Sequence, residues 1–312
     1  MARDWEAQLR EWGHAPGPAE QTKMENTESQ IRAAITAHPR LKLHNVRVAS
    51  QGSYYNLTHI PRESDVDIRV VSHDAVYNDW SWVDPQGNTD EAVRATLRTR
   101  FGIPSGPAAY GFFTFRDDVG EALVARFGPP PNVTPGDKAF NIKETRYHVD
   151  ADVVAVLEHR TYRKDGTYEE GVEFVSRKGE RIVNWPVQQH DNGVTKNQAT
   201  GERFKAMVRA LKNLRVEMDD QKIAAAAKPI SSFLIECLVW NVPDGKFGHA
   251  TYYDDMKEVL RFLYLNTKDA TTCAEWREES NLKWLFKGKV AWTPAQVNAF
   301  VLAAWGHVEF KD

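Results

Sequence analysis

Asp65 and Asp67 stand two residues apart in Ser64-Asp65-Val66-Asp67-Ile68. On an extended strand that spacing projects both carboxylates from one face, while Val66 and Ile68 point the other way into a core. Carboxylates held so close repel each other unless cations sit between them. Phosphoryl transfer gives a reason to bear the repulsion, because two metal ions about 3.5–4 Å apart activate an attacking hydroxyl and stabilise a leaving oxygen. Eleven residues separate Asp65 from Gly52-Ser53 upstream. There the glycine permits a turn that a side chain would block, and the serine offers a hydroxyl and an amide to a phosphate. A third carboxylate should come from a neighbouring strand, and Tyr147-His148-Val149-Asp150-Ala151-Asp152-Val153-Val154 supplies two candidates. Asp150 and Asp152 share a face, so spacing alone does not choose between them; the apolar run after Asp152 places it deeper on a core strand. An Asp-x-Asp pair by itself is most often a solvated acidic pair. The Gly-Ser turn, the apolar flanks and the later acid-bearing strand make chance the weaker explanation here.

The elements that must position these residues follow from the pattern. Residues 20–38 are polar but helix-permissive, and Pro39 ends them near His38. Leu43 to Ser50 reads as a strand running into the Gly52-Ser53 turn, and Val66 to Val71 as the next strand. Thr89 caps a helix through Arg100 whose buried side is Ala92, Val93, Leu97 and Phe101. The proline density of residues 102–137 predicts a long irregular excursion broken by one short helix near 119–127. Strands return at Tyr147 to Val156, with a hairpin across Asp165-Gly166, then Val172 to Val175 turning at Lys178-Gly179. After residue 195 the period becomes helical, at about 200–219, 230–240, 252–265, 271–286 and 294–306. The expectation is an α+β chain: a mixed-sheet lobe followed by a helical lobe.

Charge and composition narrow the partners. The 312 residues carry 40 basic and 43 acidic side chains, a formal charge of −3, so no global positive field favours a long nucleic acid. Cys237 and Cys273 have no CxxC partner, which excludes a disulfide scaffold and a Cys-rich zinc module. No stretch reaches the roughly 20 apolar residues of a membrane span, and the start lacks a secretory core. A soluble, cytoplasmic protein is expected. HExxH, GxSxG, Walker A and GxGxxG patterns are absent. On the helix from Thr200, Lys205, Arg209 and Lys212 fall at i, i+4 and i+7 opposite an apolar face of Phe204, Met207, Val208, Leu211, Leu214 and Met218. Such a basic stripe is most often a solvated face.

Gly52-Ser53 followed by Asp65-x-Asp67 resembles the signature of the DNA polymerase β type nucleotidyltransferases. The fuller strings GSYYNLTHIPRESDVDIRVV, DADVV and NWPVQQHDNGVTKNQATGERFKAMVRALKNLR resemble the CD-NTases, the cGAS/DncV-like enzymes of bacterial antiphage signalling. The resemblance implies a polymerase β-type catalytic lobe with an N-terminal brace helix over residues 1–190 and a helical lobe over 191–312. It implies synthesis of a cyclic di- or trinucleotide from nucleoside triphosphates with release of pyrophosphate, the product activating a separate effector protein. Asp65, Asp67 and Asp152 would bind two Mg2+ or Mn2+ ions, and Gly52 and Ser53 would contact the triphosphate. Lys212 and Ser232 would face its phosphates, with Ser231 close behind, and Phe233 would stack on a base, though plain core is an equally good reading of that ring. One departure is Leu57, where the family often has glycine. Without a Cys/His zinc insertion or a dense basic tract, sensing of long double-stranded DNA is not expected. Two other readings are a nucleotidyltransferase modifying a tRNA end, an antibiotic or a protein, and a noncatalytic nucleotide or RNA sensor; clustered acids count against the sensor.

Overall fold

The computed structural model describes residues 3–15, 17–62, 65–83, 95, 96, 99, 110–145, 148–221 and 225–310. They form two compact units. One comprises Ala19–Gly52 and Asp65–Pro186, the other Met1–Pro18, Ser53–Ser64 and Val187–Asp312.

The first unit is built on a mixed seven-stranded sheet. Its strands are β1 (Val46–Gln51), β2 (Val66–Asp79), β3 (Val133–Pro135), β4 (Phe140–Ile142), β5 (Ala151–Tyr162), β6 (Tyr168–Val175) and β7 (Arg181–Asn184). The order is β1-β2-β5-β4-β3, with β6 pairing the far half of β5 and β7 pairing β6. Only β2 and β5 run parallel. They form the centre, and Val66, Ile68, Val70, Val153 and Val156 are fully buried, the near-continuous apolar run of strands covered on both faces. The helix Pro18–Ala37 buries Met24, Thr27, Ile31, Ala34 and Ile35, the i, i+3, i+4 stripe of an amphipathic helix. It ends one residue short of the predicted stop.

The excursion before β3 is less irregular than its prolines imply. A 16-residue helix, Phe112–Phe127, replaces the short helix expected at 119–127 and buries Phe115, Val119 and Leu123. Gly120 does not break it, because a Cβ there would stand 2.8 Å from the Phe140 ring; glycine lets the helix close onto β4. The Thr89–Arg100 helix lies outside the described residues, apart from helical turns at 95, 96 and 99. Both predicted hairpin turns are present, with Gly166 at φ 91° and Gly179 at φ 81°.

The second unit is helical. Its long central helix, Arg203–Asp220, buries Phe204, Met207, Val208, Leu211, Leu214 and Met218 completely, the apolar face read from the sequence. Around it pack Trp5–Gly13, Ser232–Trp240, Tyr252–Thr267 and Pro294–His307. Asp4, Ser231, Thr251 and Thr293 cap these four through side-chain oxygens that accept main-chain N–H groups. Three helices escaped the periodicity: Trp5–Gly13 and Gly52–Asn56, which are short, and Pro186–Ala199, whose Gln, Asn, His and Lys content leaves little apolar stripe. One predicted helix is not formed. Residues 271–286 make turns and an Arg277–Trp284 bridge, because Asp269 bonds the Thr271 N–H and Asn281 adopts φ 60°. No helix among the described residues is long and apolar enough to cross a membrane.

Candidate active site

In the sheet unit, register decides which carboxylates meet. Parallel pairing sets Val66 beside Ala151 and Asp67 directly beside Asp152. Side chains of register partners point to the same face, so Asp65, two residues before Asp67, shares that face with Asp67 and Asp152. Asp65 is exposed, and Asp67 and Asp152 are half-buried. Asp65, Asn141, Asp150 and Asp152 line a cavity of about 300 Å³ together with Thr134 and Lys143.

The same geometry separates the two candidates for the third acid. Asp150 is already engaged, one oxygen accepting the Glu144 N–H and the other 3.5 Å from Lys143 Nζ. Asp152 stands across from Asp67, and its Oδ1 accepts a hydrogen bond from Asn141 Nδ2. Asn141 is the register partner of Asp152 on β4, and sequence reasoning missed it. A signal was present: in Phe140-Asn141-Ile142 the polar residue alternates with two buried apolar ones, so it must face away from the core they fill.

Gly52 earns its identity twice. It has φ 65°, in the left-handed region, and a Cβ would stand 2.8 Å from Cγ of Asp67. The glycine thus makes room for one of the carboxylates, a relation between the two motifs that spacing could not show.

Gly52–Asn56 makes one short helix, after which the Thr58 N–H donates to the Ser53 carbonyl at 2.9 Å. Leu57 adopts φ 58°, the conformation glycine favours, which explains why glycine suits this position in the family it resembles. The basic stripe is neither solvated nor open: Lys205, Arg209 and Lys212 are 6, 8 and 1% exposed. Lys212 Nζ donates to the Thr58 carbonyl at 3.0 Å and to Glu236 Oε1 at 2.5 Å. Glu236 also accepts from Thr58 Oγ1 at 2.8 Å, Asn56 Nδ2 at 3.3 Å and Gln189 Nε2 at 3.3 Å. Lys212 is therefore enclosed, where the resemblance had it facing phosphates. Glu236, whose partners lie far apart in sequence, gave no sequence signal at all.

Ser232 is half-buried on the first turn of its helix, its hydroxyl accepting from Arg215 Nη2 at 3.2 Å, while Ser231 is spent as the N-cap. Phe233 packs on the helical core, its ring 6.2 Å from Trp292, as the plain-core reading has it. His59 is buried nearby, and burial pushes its pKa down to about 4.

The donor set of Asp65, Asp67 and Asp152 is all oxygen, which fits a hard divalent cation such as Mg2+ or Mn2+.

Residues 191–309 match the family model of the cGAS/DncV-like nucleotidyltransferase C-terminal helical domain. The chain is 37% identical over 311 residues to a cyclic dipyrimidine nucleotide synthase CdnE of Cecembia lonarensis, covering 99% of this chain and 100% of that one. It is 38% identical over 311 residues to a protein of the same description from Legionella pneumophila, covering 99% of each. Among solved structures, the Rhodothermus marinus CdnE c-UMP-AMP synthase with Apcpp and Upnpp superposes with a TM-score of 0.80 at 29% identity, covering 98% of each chain.

Proposed function

The chain belongs to the cGAS/DncV-like nucleotidyltransferases and makes a cyclic oligonucleotide from nucleoside triphosphates; from that premise we propose that Asp65, Asp67 and Asp152 are its catalytic carboxylates and that pyrimidine nucleotides are among its substrates. The observation that carries the assignment is the register pairing of Asp67 with Asp152 on the two central parallel strands, with Asp65 on the same face. Base choice rests on the two relatives described as dipyrimidine synthases, each matched over its whole length.

The reaction is in-line attack of a ribose hydroxyl on the α-phosphorus of a second triphosphate: a new O–P bond forms, the bond to the bridging oxygen breaks, and pyrophosphate departs. A repeat within the linear intermediate closes the ring. Asp65 and Asp67 would hold two Mg2+ or Mn2+ ions, and Asp152 would complete the set beside the acceptor hydroxyl. Bound there, the ions would supply charge neutralisation of the triphosphate and acidification of the attacking hydroxyl. Asn141 fixes the carboxylate of Asp152, and Gly52 leaves Asp67 its space. Ser53 would offer its amide and hydroxyl to the phosphates, with Ser232 as a second hydroxyl. Lys212 would act one step back, holding the Thr58 end of the turn that carries Ser53. The product would serve in the cytoplasm as a second messenger read by a separate effector in antiphage defence, a role supported by family membership alone. Loss of phage protection in the native host on Asp67→Asn substitution is its test.

The catalytic assignment is tested by incubating the protein with Mg2+ or Mn2+ and all four ribonucleoside triphosphates and weighing the products by mass spectrometry beside Asp65→Ala/Asp67→Ala. A cyclic product containing U or C, lost in the double variant, is expected. Equal product from both proteins would end the carboxylate assignment, and a purine-only product would end the pyrimidine one.

A further inference from the structure

Within the helical unit a pocket of about 420 Å³ opens beside the first two turns of the Arg203–Asp220 helix. Asn197, Glu202, Lys205, Arg209, Tyr252 and Leu57 are among the residues that line it. Most of its polar groups are committed. Arg209 donates through Nε and Nη2 to the Gly13 carbonyl, at 2.9 and 2.6 Å, and through Nη1 to the Leu57 carbonyl at 2.6 Å. Asn197 takes the Lys205 main-chain N–H on its oxygen and gives its amide to Glu202.

The Lys205 ammonium is the exception. Its side chain belongs to a residue only 6% exposed, yet among the described residues none accepts a hydrogen bond from Nζ or forms an ion pair with it. A desolvated cation is normally paired. Burial pulls the Lys205 pKa down, the charge of Glu279 opposes it, and Arg209 adds to the lowering; no Glu279 oxygen comes within ion-pair distance of the ammonium. Lys205 and Arg209 thus line one pocket whose single lining carboxylate, Glu202, is already held by the Asn197 amide.

We infer that this pocket binds a small oxyanion, the phosphate or carboxylate group of a soluble ligand, with Lys205 as its recognition residue. The bound anion supplies the acceptor that the fold withholds, and Arg209 adds long-range attraction without giving up its carbonyl partners. Residues of the proposed carboxylate triad take no part, so the site stands or falls separately from the catalytic reading.

The test is calorimetric titration of the full chain, without nucleotide, using inorganic phosphate in one arm, malonate in a second and chloride at matched ionic strength in a third, each repeated with Lys205→Met. A saturable event with phosphate or malonate that disappears in Lys205→Met is expected; phosphate alone assigns the pocket to phosphoryl ligands, malonate alone to carboxylates. Binding equal in both proteins, equal for chloride, or absent from the wild type overturns the inference. Thermal melting of the two proteins provides an independent check. A lysine kept unpaired for a ligand predicts that Lys205→Met melts at the same temperature or higher, and a fall of several degrees would make Lys205 a structural residue and overturn the assignment.

Discussion

Gly52 and Asp67 form the tightest relation in the sheet unit, because the glycine's missing side chain is the space the carboxylate uses. Gly52→Ala combines a non-glycine residue at φ 65°, a strain of about 1–3 kcal/mol, with displacement of Asp67. Since misplacing a reacting group by about 1 Å costs on the order of 10²-fold, its turnover should fall by that order, with a lower melting temperature; steady-state rates and thermal melts decide it. Asp67→Asn should separate the two effects. Product formation is expected to drop by about 10² to 10³-fold or more. Stability without metal should stay level or rise, as removing one of several clustered acids relieves repulsion. The wild type should gain melting temperature on addition of Mg2+ and lose the gain with a chelator, while Asp67→Asn gains little. A full Mg2+-dependent gain in Asp67→Asn would place the cation elsewhere.

At the scale of elements, the buried Lys212–Glu236 pair ties the helix Arg203–Asp220 and the helix Ser232–Trp240 to the Asn56–Thr58 turn. Removing one partner of a buried pair strands the other as an uncompensated charge, at about 3–5 kcal/mol. Lys212→Met is expected to lose stability of that order in urea denaturation, and Lys212→Met/Glu236→Gln to recover part of it. The alternative, direct contact of Lys212 with phosphates, predicts the reverse: a raised KM for triphosphates with the denaturation midpoint unchanged. On the sheet, the same logic makes Asn141 a positioning residue of β4 whose amide orients Asp152. Asn141→Ala should lower kcat more than it alters the melting temperature, and Asn141→Ser should restore part of the rate.

For the molecule as a whole, two buried groups tilt stability against pH in opposite senses. His59 has its pKa lowered from 6.5 to about 4 by burial, so between those values the unfolded chain binds more protons than the native one. Its contribution is complete above pH 6.5 and is lost as pH falls toward 4. Glu279 has its pKa raised from 4.5 to about 8, by burial first and by Glu236 second. The native state then holds the extra proton, and stability is lost as pH rises from 4.5 through 8. Melting temperatures from pH 7 to 9, where His59 no longer titrates, should fall in the wild type and fall less in Glu279→Gln. Parallel slopes in the two proteins would show that Glu279 is ionised throughout.

The sequence alone determined the chemistry, because chemistry depends on local order: Asp-x-Asp after a Gly-Ser turn, and an acid-bearing apolar segment downstream, are visible wherever the chain later goes. It also determined the helices with strong apolar periodicity, since a stripe such as Phe204 to Met218 has no soluble alternative to burial. What depended on long-range contact was left to the tertiary structure. The proposal of Asp152 over Asp150 rests on β2–β5 register and on Lys143, not on spacing. The Phe112–Phe127 helix extends over 112–118, a stretch that the neighbouring prolines marked as irregular, where Phe112 and Phe115 are buried. Lys212 looked like a surface cation because its partner, Glu236, sits in the second turn of another helix, and a local pattern carries no record of a charge that only folding brings within hydrogen-bonding distance.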